Sequence, residues 1–304
     1  MRVLLWLSNP VRAFAPTPAQ LAALGGRGGQ QLVTVHGESE FLAELPAAEA
    51  VVVWRFLPEW YALAPQLRHA FTPSAGHDPL PAEPTGRVQR HFGSFQGLLM
   101  AESLVAMLTF LNGRFGVALQ AQAERRWERA PFSERRRLHG QVALIIGYGA
   151  IGQHCGRLLS ALGMVVHGLR RDLTRPSPWA QRMFHPAQRA EALAAADHVV
   201  CVLPGDTGTQ HFLDAACFAQ MKPSSCVYNL GRGNAIDATA LQAALAEGRI
   251  AGAFLDVAPE EPLPASSPLW TTPNLYLTPH ASAISREYLD LYFEQLAREL
   301  GQLS

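Results

Sequence analysis

The stretch Val142-Ala143-Leu144-Ile145-Ile146-Gly147-Tyr148-Gly149-Ala150-Ile151-Gly152 decides the fold. An apolar run enters a GxGxxG turn, and the segment after it places Ile151, Cys155, Leu158, Leu159 and Leu162 on one helical stripe. A buried strand therefore passes through a glycine turn straight into an amphipathic helix. In that setting Gly147 permits the tight turn, Gly149 lets a pyrophosphate approach the backbone, and Gly152 lets helix and strand pack closely. The helix start then offers free N–H groups to an anion. A glycine-rich turn with no ligand is the bland alternative; strand and helix around it point to a dinucleotide fold.

Outward from this turn the same alternation continues. Val51-Val52-Val53-Trp54, Met164-Val165-Val166, His198 to Leu203, Cys226-Val227-Tyr228 and Ala253-Phe254-Leu255 read as strands buried on both faces of a parallel sheet. The start, Met1 to Pro10, reads as a first buried strand rather than a signal peptide. The Pro- and Gly-rich residues 79–97 read as a linker, and Leu98 to Phe115 as a long helix. Gln120 to His139, rich in Arg and Glu around Trp127 and Phe132, reads as a solvated helical face or a subunit-contact arm. Gly25-Gly26-Arg27-Gly28-Gly29 reads as a loop.

The chain has 304 residues, 48% hydrophobic and 16% charged, enough for two domains that each bury a core. Its 25 basic and 25 acidic side chains cancel, against the basic surplus that a binder of nucleic acid or anionic membrane needs. No stretch approaches the ~20 apolar residues of a membrane span. Cys155, Cys201, Cys217 and Cys226 contain no CxxC pair, so neither a metal site nor a disulfide scaffold is indicated, and free thiols fit a reducing cytoplasm. Only Lys222 is lysine, which makes arginine the default cation.

Three further turns follow apolar strands and carry chemically unusual residues. Tyr228-Asn229-Leu230-Gly231-Arg232 places Arg232 just past a strand, Leu255-Asp256 places Asp256 at a strand end with Glu261 soon after, and Leu275-Tyr276-Leu277-Thr278-Pro279-His280 places His280 past a third. The carboxyl ends of strands in doubly wound sheets are where ligands bind. Singly, each has a bland reading: a surface Arg, an acid in a solvated loop, a satisfied His. Together they are the set that reduction of a 2-oxo acid requires. An Arg fork binds the substrate carboxylate. A His gives the carbonyl oxygen its proton. A carboxylate beside that His orients the ring and favours its protonated form.

At these residues the sequence resembles the D-isomer-specific 2-hydroxyacid dehydrogenase family, most closely its glyoxylate/hydroxypyruvate reductase branch. The landmarks are Ser74-Ala75-Gly76-His77-Asp78, Met100-Ala101-Glu102, the GxGxxG turn, Leu203-Pro204 with Thr207 and Thr209, Met221-Lys222-Pro223, Asn229 to Gly233, Leu255-Asp256-Val257 with Glu261-Pro262, and Pro268-Leu269-Trp270 through Thr278-Pro279-His280-Ala281. The resemblance implies an α/β fold of two Rossmann-like doubly wound parallel-sheet domains with a cleft between them. It implies a substrate domain over 1–97 completed by a C-terminal helix at 284–304, and a dinucleotide-binding domain over 98–283. Carried onto matching positions it makes Arg232, Glu261 and His280 catalytic. It makes Gly147, Gly149, Ala150, Ile151, Gly152, Leu203, Pro204, Thr209, Leu230, Gly231, Asp256, Ala281 and Ser282 cofactor-binding, with Asp256 on the nicotinamide carboxamide. Arg55, Ala75 and Gly76 join Arg232 and His280 in binding substrate. A small 2-oxo acid is the implied partner, and a homodimer the implied assembly.

Cofactor choice is read from the end of the second strand of the dinucleotide domain. There an Asp or Glu receives the ribose 2′-hydroxyl of NAD, while Arg accommodates the 2′-phosphate of NADP. Here that place holds Arg170 and Arg171, followed by Asp172, which favours NADP(H) over NAD(H); Asp172 on an NAD ribose is the alternative. Two rival classes share parts of the pattern: a nucleotide-binding regulator on the same fold without turnover, and a methyltransferase with a Gly-rich loop. The methyltransferase reading leaves Arg232, Glu261 and His280 unexplained as a set.

Overall fold

Short apolar runs alternate with Ala- and Leu-rich segments of helical period, and this alternation builds parallel sheets covered by helices. The computed structural model describes residues 1–25 and 30–303, so the loop expected at 25–29 lies, beyond Gly25, outside the described residues. The chain divides into two units, Met1–Gln96 with Ile284–Ser304, and Gly97–Ala283.

The first unit holds β1 (Arg2–Trp6), β2 (Gln31–Thr34), β3 (Ala50–Val53), β4 (His69–Thr72) and β5 (Gln89–Phe92) in the order β2-β1-β3-β4-β5. Every neighbouring pair is parallel. All of β3 is buried, as a strand covered on both faces must be. An aromatic cluster fills one layer: Phe56 lies 4.7 Å from Tyr61 and 5.4 Å from Trp60, and Trp6 lies 5.2 Å from Phe41. The helix Tyr288–Gln302 closes this unit. Its Tyr288 hydroxyl donates to the Pro73 carbonyl at 3.1 Å, and Gln295 donates to the Phe92 carbonyl and accepts from the Ser94 N–H, each at 2.9 Å.

Of residues 79–97, read above as a linker, all but Gly97 belong to this unit instead. Their Pro and Gly residues set turns, but Leu80 and Val88 are buried and Gln89–Phe92 is a strand. As the sheet's edge, β5 carries Gln89-Arg90-His91, which a central position would not tolerate.

The second unit holds β6 (Val142–Ile146), β7 (Val165–Leu169), β8 (Arg182–Phe184), β9 (His198–Cys201), β10 (Cys226–Asn229), β11 (Gly252–Leu255) and β12 (Leu275–Leu277). The order is β12-β11-β10-β9-β6-β7-β8, again all parallel. The chain enters in the middle at β6, steps out to β8, then returns to the other side of β6 with β9. That reversal leaves a crevice at the carboxyl ends of β6 and β9, the ligand position of doubly wound sheets. Successive β6 residues feed opposite layers. Leu144 and Ile146 pack with Leu193, Phe218 and Leu241; Ala143 and Ile145 pack with Leu104, Leu108 and Leu159.

The long helix runs from Gln96 to Asn112, ending where Gly113 precedes Arg114 in the left-handed region at φ +55. A shorter helix, Phe115–Ala123, follows. The helical face expected as far as His139 stops there, because Arg125 is also left-handed, and only a short turn, Ala130–Glu134, follows. Among the described residues no single helix is long and apolar enough to cross a membrane.

Candidate active site

Gly147 leaves β6 at φ +96, and a Cβ there would sit 2.8 Å from the Val202 carbonyl oxygen, so the turn admits only glycine. Gly149 precedes the helix Ala150–Ala161, whose first N–H groups no side chain caps. A Cβ built on Gly149 meets nothing within 4 Å, whereas one on the buried Gly152 would lie 2.7 Å from the Gly147 carbonyl. Uncapped donors, an open flank at Gly149 and half-buried Ile151 beside exposed Ala150 fit the pyrophosphate of a dinucleotide.

The turns after β9, β10 and β11 are stacked on one another. Leu203 and Pro204 follow β9, and the buried Thr209 hydroxyl donates to the Pro204 carbonyl at 2.7 Å, folding that loop back on itself. Past β10 comes buried Leu230. A Cβ on Gly231 would fall 2.5 Å from the Leu203 carbonyl, and one on Gly233 would fall 1.9 Å from that of Ala258. Arg232 lies between these two contacts, half-buried, its Nη1 donating to the Gly231 carbonyl at 3.0 Å. The Arg232 turn is thereby pressed against the loop that carries Glu261.

Asp256 is buried at the end of β11 and holds the His280 loop. Its Oδ1 accepts from the Thr278 hydroxyl at 2.7 Å and from the Ala281 N–H at 2.8 Å, and its Oδ2 accepts from the Ser282 N–H at 3.0 Å. The Asp256 carbonyl also accepts the His280 N–H at 2.7 Å. Held this way, His280 adopts φ +53 and turns its Nδ1 to Glu261 Oε2 at 2.7 Å. Glu261 Oε1 accepts the Ala258 N–H at 3.0 Å, so both of its oxygens are fixed. The pair stays open to solvent, with side chains 46% and 39% exposed, as groups that meet a substrate must be. Beside it lies a cavity of about 560 Å³ lined by Val257, Leu263, Trp270, Leu277 and Pro279 among others.

Past β7 stands Arg170, whose guanidinium is engaged by its own loop, then exposed Arg171 and Asp172. Asp172 Oδ1 accepts both the N–H and the hydroxyl of Thr174, and these bonds hold the carboxyl below the usual range. In the first unit Arg55 is exposed just beyond β3, and half-buried Ala75 and Gly76 follow β4. The Gly76 N–H donates to Ser74 Oγ at 3.2 Å, and His77 stacks on Phe92 at 4.2 Å. The four cysteines are buried free thiols, and burial pushes Cys155 and Cys201 up to about 12.

The sequence reading placed Arg232, Glu261 and His280 near one sheet edge but missed two supports. Asp256 appeared only as a cofactor contact, although three of its bonds go to residues 278–282, and Ala258 was not singled out as the clip on Glu261. The Asp256 bonds have no local signal, since they depend on which turns the sheet brings together, whereas the Ala258–Glu261 bond lies within one loop, three residues apart.

The fold and this edge define a dinucleotide-binding α/β protein with an Arg, a carboxylate and a His after successive strands. Residues 105–282 match the family model for the D-isomer specific 2-hydroxyacid dehydrogenase, NAD binding domain, and the chain belongs to that family. It is 32% identical over 212 residues to glyoxylate/hydroxypyruvate reductase A of Photorhabdus laumondii subsp. laumondii, covering 68% of this chain and 66% of that relative. Against the first curated relatives the matched stretch spans between 46% and 66% of their length. Among solved structures, a D-isomer specific 2-hydroxyacid dehydrogenase family protein from Aeromonas salmonicida is 30% identical with a TM-score of 0.80, covering 98% of this chain and 94% of that one. An NADPH-dependent glyoxylate/hydroxypyruvate reductase from Sinorhizobium meliloti, in complex with NADP and sulfate, is 26% identical with a TM-score of 0.77 and the same coverage.

Proposed function

We propose that the chain is an NAD(P)-dependent D-2-hydroxyacid dehydrogenase, working as a reductase of small 2-oxo acids of the glyoxylate and hydroxypyruvate type. The observation that carries this is the His280–Glu261 pair, Nδ1 to Oε2 at 2.7 Å, beside the Arg232 turn on the sheet edge that also holds the glycine turn. The bound nicotinamide supplies the hydride. Arg232 binds the substrate carboxylate through paired N–H groups. With Nδ1 held by Glu261, His280 keeps Nε2 for the substrate and gives its proton to the carbonyl oxygen, which becomes the hydroxyl. Glu261 sets the ring's orientation through that bond.

Gly147, Gly149, Ala150, Ile151 and Gly152 hold the pyrophosphate; Leu203, Pro204, Thr209, Leu230 and Gly231 wall the crevice; Asp256, Ala281 and Ser282 serve the nicotinamide end. Arg55, Ala75 and Gly76 are the substrate-binding residues of the first unit. NADP(H) is the favoured cofactor, because strand β7 exits into two arginines with no carboxylate at the first position. A homodimer is supported by the apolar exposure of Phe115, Leu119 and Trp127. Four free thiols support a reducing, cytoplasmic setting.

Absorbance at the reduced-nicotinamide band, followed over a panel of 2-oxo acids with NADPH and NADH, tests the proposal. Turnover of glyoxylate or hydroxypyruvate, faster with NADPH, is the expected result. Dinucleotide binding without turnover of any 2-oxo acid would favour the regulator reading instead.

A further inference from the structure

The two arginines past β7 are in different situations. Arg170 Nη1 donates to the Tyr148 carbonyl at 3.1 Å and to that of Pro176 at 3.4 Å. Its Nη2 donates to Ser177 Oγ at 2.7 Å, to Pro176 at 3.3 Å and to the Arg175 carbonyl. Its Nε is buried and without an acceptor. A guanidinium has five N–H donors and accepts nothing. Those on Nη1 and Nη2 are thus turned to the chain's own loop, and the fifth is shut away from any ligand. Tyr148 ties the same loop from the other side, its buried hydroxyl donating to the Pro178 carbonyl at 2.6 Å. Residues 175–178 are therefore fastened to the second residue of the GxGxxG turn by two side chains. Arg171, by contrast, is exposed and has no internal hydrogen bond among the described residues.

We propose a division of labour that rests on the NADP(H) reading above: Arg171 contacts the ribose 2′-phosphate, while Arg170 is a positioning residue that clasps the loop to the glycine turn and makes no phosphate contact. For Arg170 to reach a phosphate it would have to give up its bonds to Tyr148, Arg175, Pro176 and Ser177, leaving the carbonyl of buried Tyr148 without this donor and the 175–178 loop unfastened from it. Arg171 gives up nothing. Asp172 turns Oδ1 to its own loop, holding the Thr174 N–H and hydroxyl at 3.0 and 2.6 Å.

The test combines dissociation constants for NADPH and NADH, from quenching of tryptophan fluorescence, with melting temperature and tryptic cleavage of the cofactor-free protein. It uses the parent, Arg170→Ala, Arg170→Lys and Arg171→Ala. Arg171→Ala should weaken NADPH by about 10-fold to 100-fold, the value of a charge-assisted contact, leave NADH within about threefold, and melt like the parent. Arg170→Ala should melt lower, be cut faster after Arg171, and weaken both cofactors by similar factors, so that the ratio of the two constants holds within about threefold. Arg170→Lys should follow Arg170→Ala, since a point charge cannot reproduce the fan of bonds. A collapse of the ratio in Arg170→Ala, or an unchanged melting temperature there, would overturn the clasp while leaving the NADP(H) reading standing. A parent that binds NADH as tightly as NADPH would overturn that reading and Arg171's role with it, and the melting of Arg170→Ala would still report on the clasp by itself.

Discussion

Asp256→Asn is the most informative single change, because the structure lets its cost be worked out bond by bond. The amide oxygen can take the place of Oδ1 and keep the Thr278 hydroxyl and Ala281 N–H, while the amide nitrogen replaces Oδ2 and faces the Ser282 N–H. Donor then meets donor in a buried site. One bond is lost with its donor unpaired, and the other two fall from charged to neutral acceptors, for about 2–4 kcal/mol altogether. In a unit of this size that corresponds to a fall in melting temperature of about 5–15 °C, read by far-UV circular dichroism. The His280 loop hangs on the same carboxylate, so turnover should fall as well. Thr278→Val, which removes one donor and leaves no orphan on the carboxylate, should cost about 1 kcal/mol. An Asn variant that melts within about 2 °C of the parent would refute this account of the loop.

Other expectations follow from the same geometry. Arg232→Lys should be nearly as damaging to kcat/KM as Arg232→Ala, because a paired fork cannot be replaced by a point charge; recovery of most activity by Lys would reduce the role to charge attraction. Gly149→Ala should melt like the parent yet lose dinucleotide affinity, since its Cβ enters open space, whereas Gly152→Ala should melt lower, its Cβ lying 2.7 Å from the Gly147 carbonyl. Acid should destabilise the fold through its buried and half-buried histidines. Burial holds His198 and His91 down to about 4 and lowers His69, His154 and His167. These rings are kept neutral by folding, so their contribution is full above the unfolded value of about 6.5 and is lost as pH falls toward 4. Urea titrations should show that decline, and a shallower one in His198→Asn; equal slopes in the two proteins would count against it.

Central strands were legible because a parallel strand covered on both faces is apolar throughout, as Val142–Ile146 and Ala50–Val53 are. Two of the edge strands were not. Gln89-Arg90-His91-Phe92 and Arg182-Met183-Phe184 pair on one side only and carry the polar residues an edge accepts, so they look like loop. At the site, Arg232 and His280 stood out because each directly follows an apolar run. The bonds that position them did not, since Asp256 finds its donors 22 to 26 residues further on, through strand adjacency alone. Arg170 and Arg171 read alike in sequence. Only the path of the loop between residues 172 and 178 gives one of them internal acceptors and leaves the other in solvent.

The central claim is that His280 delivers the proton while Glu261 holds it for that task. The direct measurement is the initial rate of NADPH oxidation with glyoxylate or hydroxypyruvate, for the parent, His280→Ala and Glu261→Gln, each checked for retained NADPH binding. His280→Ala should lose about 10²- to 10⁴-fold in turnover, the usual contribution of general acid–base catalysis. Glu261→Gln, which exchanges the carboxylate that anchors Nδ1 for an amide, should lose about 10-fold in turnover. Parent-like rates in His280→Ala or in Glu261→Gln would contradict the account.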